Sequence, residues 1–202
     1  MASKDEGGKQ YFIAVAPPQP VYDDAQRLKE YFRDSYGSKA ALNSPPHITL
    51  HMPFLWKESR EDRLTHALSR FAGDNGPVKI CLDGFSCFRP RVIFLDVAES
   101  EALTALQHSL HKFMKQKLNL FNANYQDRPF HPHLTLAFRD LRKEQFARAW
   151  DEFQEREFKA EFIADRIILL KHNGRMWESY KEFVLESSYS AEVNPDLSTT
   201  EG

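Results

Sequence analysis

The stretch SPPHITLHMPF (residues 44–54) decides how this chain reads, because a near copy, FHPHLTLAF (residues 130–138), follows it. The shared core is HxTL, with His47 and His133 in equivalent places 86 residues apart. In an extended strand successive side chains alternate between faces. His47 and Thr49 therefore share one face, while Ile48 and Leu50 point into a core. His133 and Thr135 repeat this against Leu134 and Leu136.

Outward from both copies the order of elements is the same. Tyr11–Ala16 is a short apolar run closed by Pro17 and Pro18, which predicts a buried strand. Val21, Ala25, Leu28 and Phe32 recur at helical spacing, and Gly37 is placed to end that helix. After the first copy, Leu64, Ala67, Leu68 and Phe71 mark a second helix, and Val78–Phe88 alternates as a strand does. The second half replays the series. Val92–Val97 is a strand, Leu103, Leu106, Leu110 and Phe113 a helix face, His133–Phe138 a strand, and Phe146, Trp150 and Phe153 a helix face. Phe158–Ile163 and Arg166–Lys171 read as strands. Asn173-Gly174 predicts a type I′ hairpin turn that returns the chain through Trp177–Leu185. The order implies an α+β fold: a bilobal, pseudo-two-fold domain over 11–186 whose repeats run from 11 to 90 and from 91 to 186, joined near Arg89-Pro90. The period is too long for a solenoid. Residues 1–10 and 187–202 are polar and read as flexible tails.

Composition narrows the function. The 202 residues are 42% hydrophobic and include 16 Phe, enough for a packed core. With 27 basic against 29 acidic side chains, the chain is neither a disordered tail protein nor one that coats nucleic acid through bulk positive charge. A local basic patch could still hold a nucleic acid. Cys81 and Cys87 cannot build a disulfide framework and read as buried reduced thiols. The polar N-terminus and the lack of any run of 18 apolar residues argue for a cytoplasmic protein without a membrane span.

The chemistry lies in the repeated His and Thr. Imidazole titrates near neutrality, so one histidine can accept a proton while its counterpart donates one. Threonine hydroxyls can donate to phosphoryl oxygens from a side chain that is stiff at χ1. Two acid/base groups and two hydroxyl donors with no carboxylate cluster describe phosphoester cleavage without a metal.

These motifs, with YFIAVAPP, GFSCFRPRVIFLDV and WESYKEFVL in the same order, resemble the two-histidine (2H) phosphoesterase superfamily. Within it they look most like the 2′-5′ RNA ligase / RNA 2′,3′-cyclic phosphodiesterase group, over roughly residues 11 to 186. The resemblance implies antiparallel sheets lining a central groove, with helices outside. It implies His47 as the acid that protonates the leaving ribose oxygen, His133 as the base that activates water, and Thr49 and Thr135 as phosphate ligands. It implies no cofactor. The partners it implies are RNA ends or small cyclic or 2′,5′-linked nucleotides, with no membrane and no obligate protein partner.

Other residues leave alternatives open. His51 and His131 keep the parity of their neighbours, which would bring four histidines to one groove and suggest a zinc site. No Cys, Asp or Glu stands at ligand spacing beside them, and Pro53 and Pro132 interrupt the pleat, so groove-lining or partly exposed roles are favoured. Phe12, Phe54, Phe130 and Phe138 could stack on a base, as could Trp177 and Tyr180, although core packing competes for each phenylalanine. Arg91 and Lys171 could offset phosphate charge. Arg139 and Arg142 fall at the start of the next helix. Leu118–Phe130 reads as a loop that walls or covers the groove. Ligation through the same site, a non-catalytic nucleotide-binding module and a zinc hydrolase are the rival readings.

Overall fold

A computed structural model describes residues 8–121 and 129–186. Among the described residues eight strands and four α-helices follow in the order β1 (Lys9–Val15), α1 (Val21–Tyr36), β2 (Ile48–Trp56), α2 (Glu61–Gly73), β3 (Val78–Phe88), β4 (Val92–Val97), α3 (Glu101–Leu118), β5 (His133–Ala137), α4 (Lys143–Phe153), β6 (Lys159–Ala164), β7 (Arg166–His172) and β8 (Trp177–Val184). All the strands pair antiparallel, in one sheet of order β6-β3-β4-β5-β2-β1-β7-β8. The α+β class holds. The sheet halves expected to line a groove are joined into one at the β2–β5 seam, where Ile48 faces Leu134.

Each helix lays an apolar stripe on the same side of this sheet. Ala25 and Phe32 of α1, Leu64 and Leu68 of α2, Leu103 and Leu110 of α3, and Phe146 and Phe153 of α4 all enter one buried cluster. That cluster runs under both halves, so they share a core. The opposite face carries a small apolar set, Phe12, Ala14, Ile168 and Leu170, and is otherwise open. Helices on one side leave the other free to be a site.

The strand order shows an exchange. β3 falls within residues 11–90 but pairs with β4 and β6 from residues 91–186, while β7 of that later segment pairs with β1 of the earlier one. Around Arg89-Pro90 the chain makes a tight turn closed by Arg91 N–H to the Phe88 carbonyl, 3.3 Å. The exchange also bends the sheet. β6 stands first and β7 seventh in the order, yet the single residue Asp165 links them. In a flat sheet six strand spacings would separate them by roughly 29 Å, whereas two Cα steps reach only about 7 Å. The sheet must therefore curl, with its open face inside.

Several local expectations shift. β1 starts at Lys9, because its amides pair with Leu55 and Trp56 whatever side chains they carry. The β7–β8 turn is a four-residue loop in which the Asn173 side-chain oxygen accepts from the amides of Arg175 and Met176, at 2.9 and 3.0 Å. Cys81 and Cys87 are free and half-buried. Most of the expected loop between Leu118 and Phe130, and all of residues 1–7 and 187–202, lie outside the described residues. Among those described, no helix is long and apolar enough to cross a membrane.

Candidate active site

β2 and β5 lie side by side at the seam, and their antiparallel register sets the site. Extending the Ile48–Leu134 pair by one residue each way puts Thr49 opposite His133 and His47 opposite Thr135. All four point to the open face, because Ile48, Leu50, Leu134 and Leu136 take the core side. They line a cleft of about 320 Å³ with Phe12, Asn43, Phe138, Arg139, Arg175 and Trp177.

Both histidines are oriented the same way. His47 Nδ1 lies 2.7 Å from the Pro45 carbonyl and His133 Nδ1 lies 2.8 Å from the His131 carbonyl. A carbonyl can only accept, so each Nδ1 carries the hydrogen and each Nε2 keeps a lone pair for the cleft. An aromatic ring flanks each one: Phe12 of β1 at 4.8 Å from His47, and Phe94 of β4 at 4.8 Å from His133. Burial pushes the His47 imidazole down to about 4 from its ordinary 6.5; the Pro45 bond opposes this, and the charges of Lys29 and His133 add to it. Burial also lowers His133 and the charge of His131 adds to this, while its bond to the His131 carbonyl and, last, the Asp96 carboxylate oppose it. Among the described residues neither threonine hydroxyl has a protein partner, so both are free for a ligand.

His51 departs from its parity through a β-bulge. Ala14 faces Thr49 but Ile13 faces His51, so Leu50 and His51 oppose a single partner and the later side chains change face. His51 is buried beside Phe54 and His111 on the helix side, its ring centroid 5.3 Å from each. His131 sits outside β5, half exposed, with Nε2 3.6 Å from Asp96. The four histidines are thus not gathered, and among the described residues no cluster of three or more His, Cys, Asp or Glu could hold a metal.

The structure brings Phe12, Phe138 and Trp177 to the cleft, where Phe12 and Trp177 meet edge to face at 4.7 Å. It does not bring Phe54, Lys171, Tyr180 or Arg91. Phe54 stacks on Tyr11 in the core. Lys171 is paired with Tyr11 across the strands and bonds Glu58 and Glu61, and Tyr180 bonds Glu61, all on the helix side. Arg91 is exposed in the β3–β4 turn. Phe130 packs against the main core.

Arg139 and Asp140 escape a reading by pattern. Arg142 immediately precedes α4, as expected, but Arg139 has φ 59°, a left-handed backbone, and lines the cleft. Asp140 accepts from Ser38 Oγ at 2.8 Å and from the amides of Lys39 and Ala40 at 2.9 Å each. It thereby ties the wall before β2 to the wall after β5.

The comparisons with known proteins bear on this geometry. Residues 17–175 match the family model of the 2′-5′ RNA ligase superfamily, across both HxTL strands. The chain belongs to that superfamily. Within the 2′-5′ RNA ligase superfamily it is similar to a Geobacillus kaustophilus protein, a phosphoesterase by name, at 32% identity over 87% of this chain and 95% of the other. An Oceanobacillus iheyensis protein with the same description is 29% identical, again over 87% of this chain, and 97% of its own. Among solved folds, TT0787 of Thermus thermophilus superposes with a TM-score of 0.65 at 22% identity, over 89% of this chain and all of the other. Escherichia coli LigT in its apo form gives 0.62 at 22% identity, over 91% of this chain and 100% of its own. The superfamily, also known as the two-histidine phosphoesterases, supplies the enzyme type; the residues and the substrate have to be argued from the cleft.

Proposed function

We propose that the protein is a metal-independent phosphodiesterase that opens 2′,3′-cyclic phosphates of nucleotides or RNA ends to 2′-phosphates, or cleaves 2′,5′ linkages. His47, Thr49, His133 and Thr135 are the catalytic set. The observation that carries this is the pair of imidazoles at the β2–β5 seam, each fixed through Nδ1 to a carbonyl two residues back, with Nε2 free toward one cleft.

One imidazole takes the proton of a water whose oxygen attacks phosphorus. The other gives a proton to the ribose oxygen as its bond to phosphorus breaks. For a cyclic phosphate the products are a 2′-phosphomonoester and a free 3′-hydroxyl. The threonine hydroxyls hold the non-bridging oxygens, and Arg139 and Arg175 at the wall offset their charge. Phe12, Phe138 and Trp177 offer ring faces to a base. That Escherichia coli LigT has been crystallised with 3′-AMP is consistent with a nucleotide ligand here. Ligation of 2′,5′ ends would run the same site in reverse, and hydrolysis is favoured because it needs only one bound end and abundant water.

The test is hydrolysis of the four nucleoside 2′,3′-cyclic monophosphates in EDTA by wild type, His47→Ala and His133→Ala. Conversion to 2′-monophosphates, lost by ~10²-fold or more in each variant, is expected. Activity abolished by EDTA, or kept by either variant, refutes the mechanism.

A further inference from the structure

The charge that lines the open face changes sign across His47. The catalytic cleft holds Arg139 and Arg175 and, among the described residues that line it, no carboxylate. His47 and Pro45 also wall a second cavity of about 620 Å³, within the size range that takes a small organic ligand. Glu161, Asp165 and Glu182 line this one against a single cation, Arg166. Every nitrogen of that guanidinium is already on a carboxylate: Nε and Nη2 on Asp165 at 2.9 and 3.1 Å, Nη1 on Glu182 at 2.8 Å. Glu161 pairs with Lys79 at 2.8 Å. Among the described residues of this wall no cation is left to meet a phosphate, and the paired carboxylates do not call for a cationic ligand either.

The floor of the second cavity is apolar and continuous with the cleft. Phe12, Ala14, Ile168 and Leu170 form one buried cluster on the open face, and Ala16 and Trp177 pack against it. Phe12 and Trp177 are ring walls of the catalytic cleft, whereas Ala14, Ala16, Ile168 and Leu170 line the second cavity. Ile163 of β6 adds an aliphatic wall from the far end of the curled sheet, and more than half of its surface is bare. Tyr22 of α1 and Ser179 of β8 contribute neutral polar side chains. An apolar floor under an acidic rim suits a ligand with flat or aliphatic surface and no negative charge.

We propose that this cavity is the subsite for an uncharged nucleoside that reaches past His47 from the scissile phosphate and carries no further phosphate. The inference rests on the phosphodiesterase reading above and narrows it to small nucleotides with a single phosphodiester, as against RNA ends. The phosphate lies at the threonine hydroxyls with Arg139 and Arg175, one base meets the Phe12 and Trp177 rings, and the second nucleoside lies over Ala14 and Ile168. In a longer RNA the phosphate of the next nucleotide would enter the same cavity among Glu161, Asp165 and Glu182. There like charge repels it, and the cations nearby are already held by those carboxylates.

Kinetics and binding test this separately. The substrates are a 2′,5′-linked dinucleoside monophosphate and its two analogues with one added phosphate, on the terminal 5′ hydroxyl or on the 3′ hydroxyl at the opposite end. One of the two added phosphates should raise KM about tenfold or more, and Glu161→Gln/Glu182→Gln should cut that penalty to within about threefold. A penalty at neither end, or one that the double variant leaves intact, overturns the proposal. For binding, a non-hydrolysable methylenephosphonate analogue of the unphosphorylated dinucleotide is added while the methyl NMR signals of Ala16, Ile163 and Ile168 are followed. They should shift as the analogue saturates the protein. Turnover of the dinucleotide with those signals unmoved overturns the subsite. A wild type inert on every dinucleotide sinks the phosphodiesterase reading instead, and methyl signals that still shift would keep the cavity as a nucleoside site.

Discussion

Replacing Lys29 with methionine should make the protein more stable at neutral pH. Burial lowers the Lys29 amine from its ordinary 10.5 to about 7. The unfolded chain therefore binds more protons at this position than the folded one between those values, and stability rises with pH across that window. At ~1.36 kcal/mol per pH unit of separation, holding Lys29 folded costs about 4 kcal/mol at pH 7, and the cost fades toward pH 10.5. Methionine is unbranched and fills a similar volume without a charge. It leaves the Ser44 carbonyl without its donor, which takes back about 1–3 kcal/mol. Lys29→Met should thus gain about 1–3 kcal/mol at pH 7, an advantage that shrinks to nothing or reverses by about pH 10. Urea denaturation of both proteins at the two pH values reads the difference directly. A variant no more stable at pH 7, with a difference that does not change with pH, would refute the view of Lys29 as an amine held at a cost.

Three further outcomes follow from other parts of the structure. Asp140→Ala removes the acceptor for Ser38 Oγ and two amides, and should lower stability by about 2–4 kcal/mol in thermal melts while raising KM more than it lowers kcat. Gly37→Ala meets no atom within 4 Å, but φ is 69°; the cost should be the left-handed backbone alone, about 1 kcal/mol, or a fall in Tm of about 2–4 °C. Thr135→Val keeps the side-chain shape and loses a hydroxyl that makes no bond among the described residues, so Tm should hold while kcat/KM for a cyclic phosphate falls about 10- to 100-fold.

The strands, the helices and the two HxTL faces were legible in the sequence because each obeys a local period: two residues for Ile48 and Leu50 against His47 and Thr49, and about 3.6 for Val21, Ala25 and Phe32. What escaped depends on distance or on an irregular backbone. His51 has the parity of a groove residue and loses it to a bulge defined by β1, some forty residues earlier in the chain. Arg139 reads as a helix-start arginine, yet its φ is positive and it lines the cleft. Asp140 looks like a loop aspartate, and its role comes from amides about a hundred residues away. Lys171 and Tyr180 have the composition of ligand residues, but Glu58 and Glu61 on the other face hold them. Lys29 falls among the helix positions Ala25, Leu28 and Phe32 and gives no sign that it is buried.

The exchange of β3 for β7 between the earlier and later segments also constrains how the chain can be made. Ile13 finds its outer partner only in Leu169, so one edge of β1 stays open until nearly the whole described chain has left the ribosome. Neither segment can be cut away as a self-sufficient half, since each would lose a strand that its sheet needs and gain one with nothing beside it. The β1–β7 pairing therefore closes late in synthesis, and a product truncated before β7 lacks the Arg175 and Trp177 wall of the cleft.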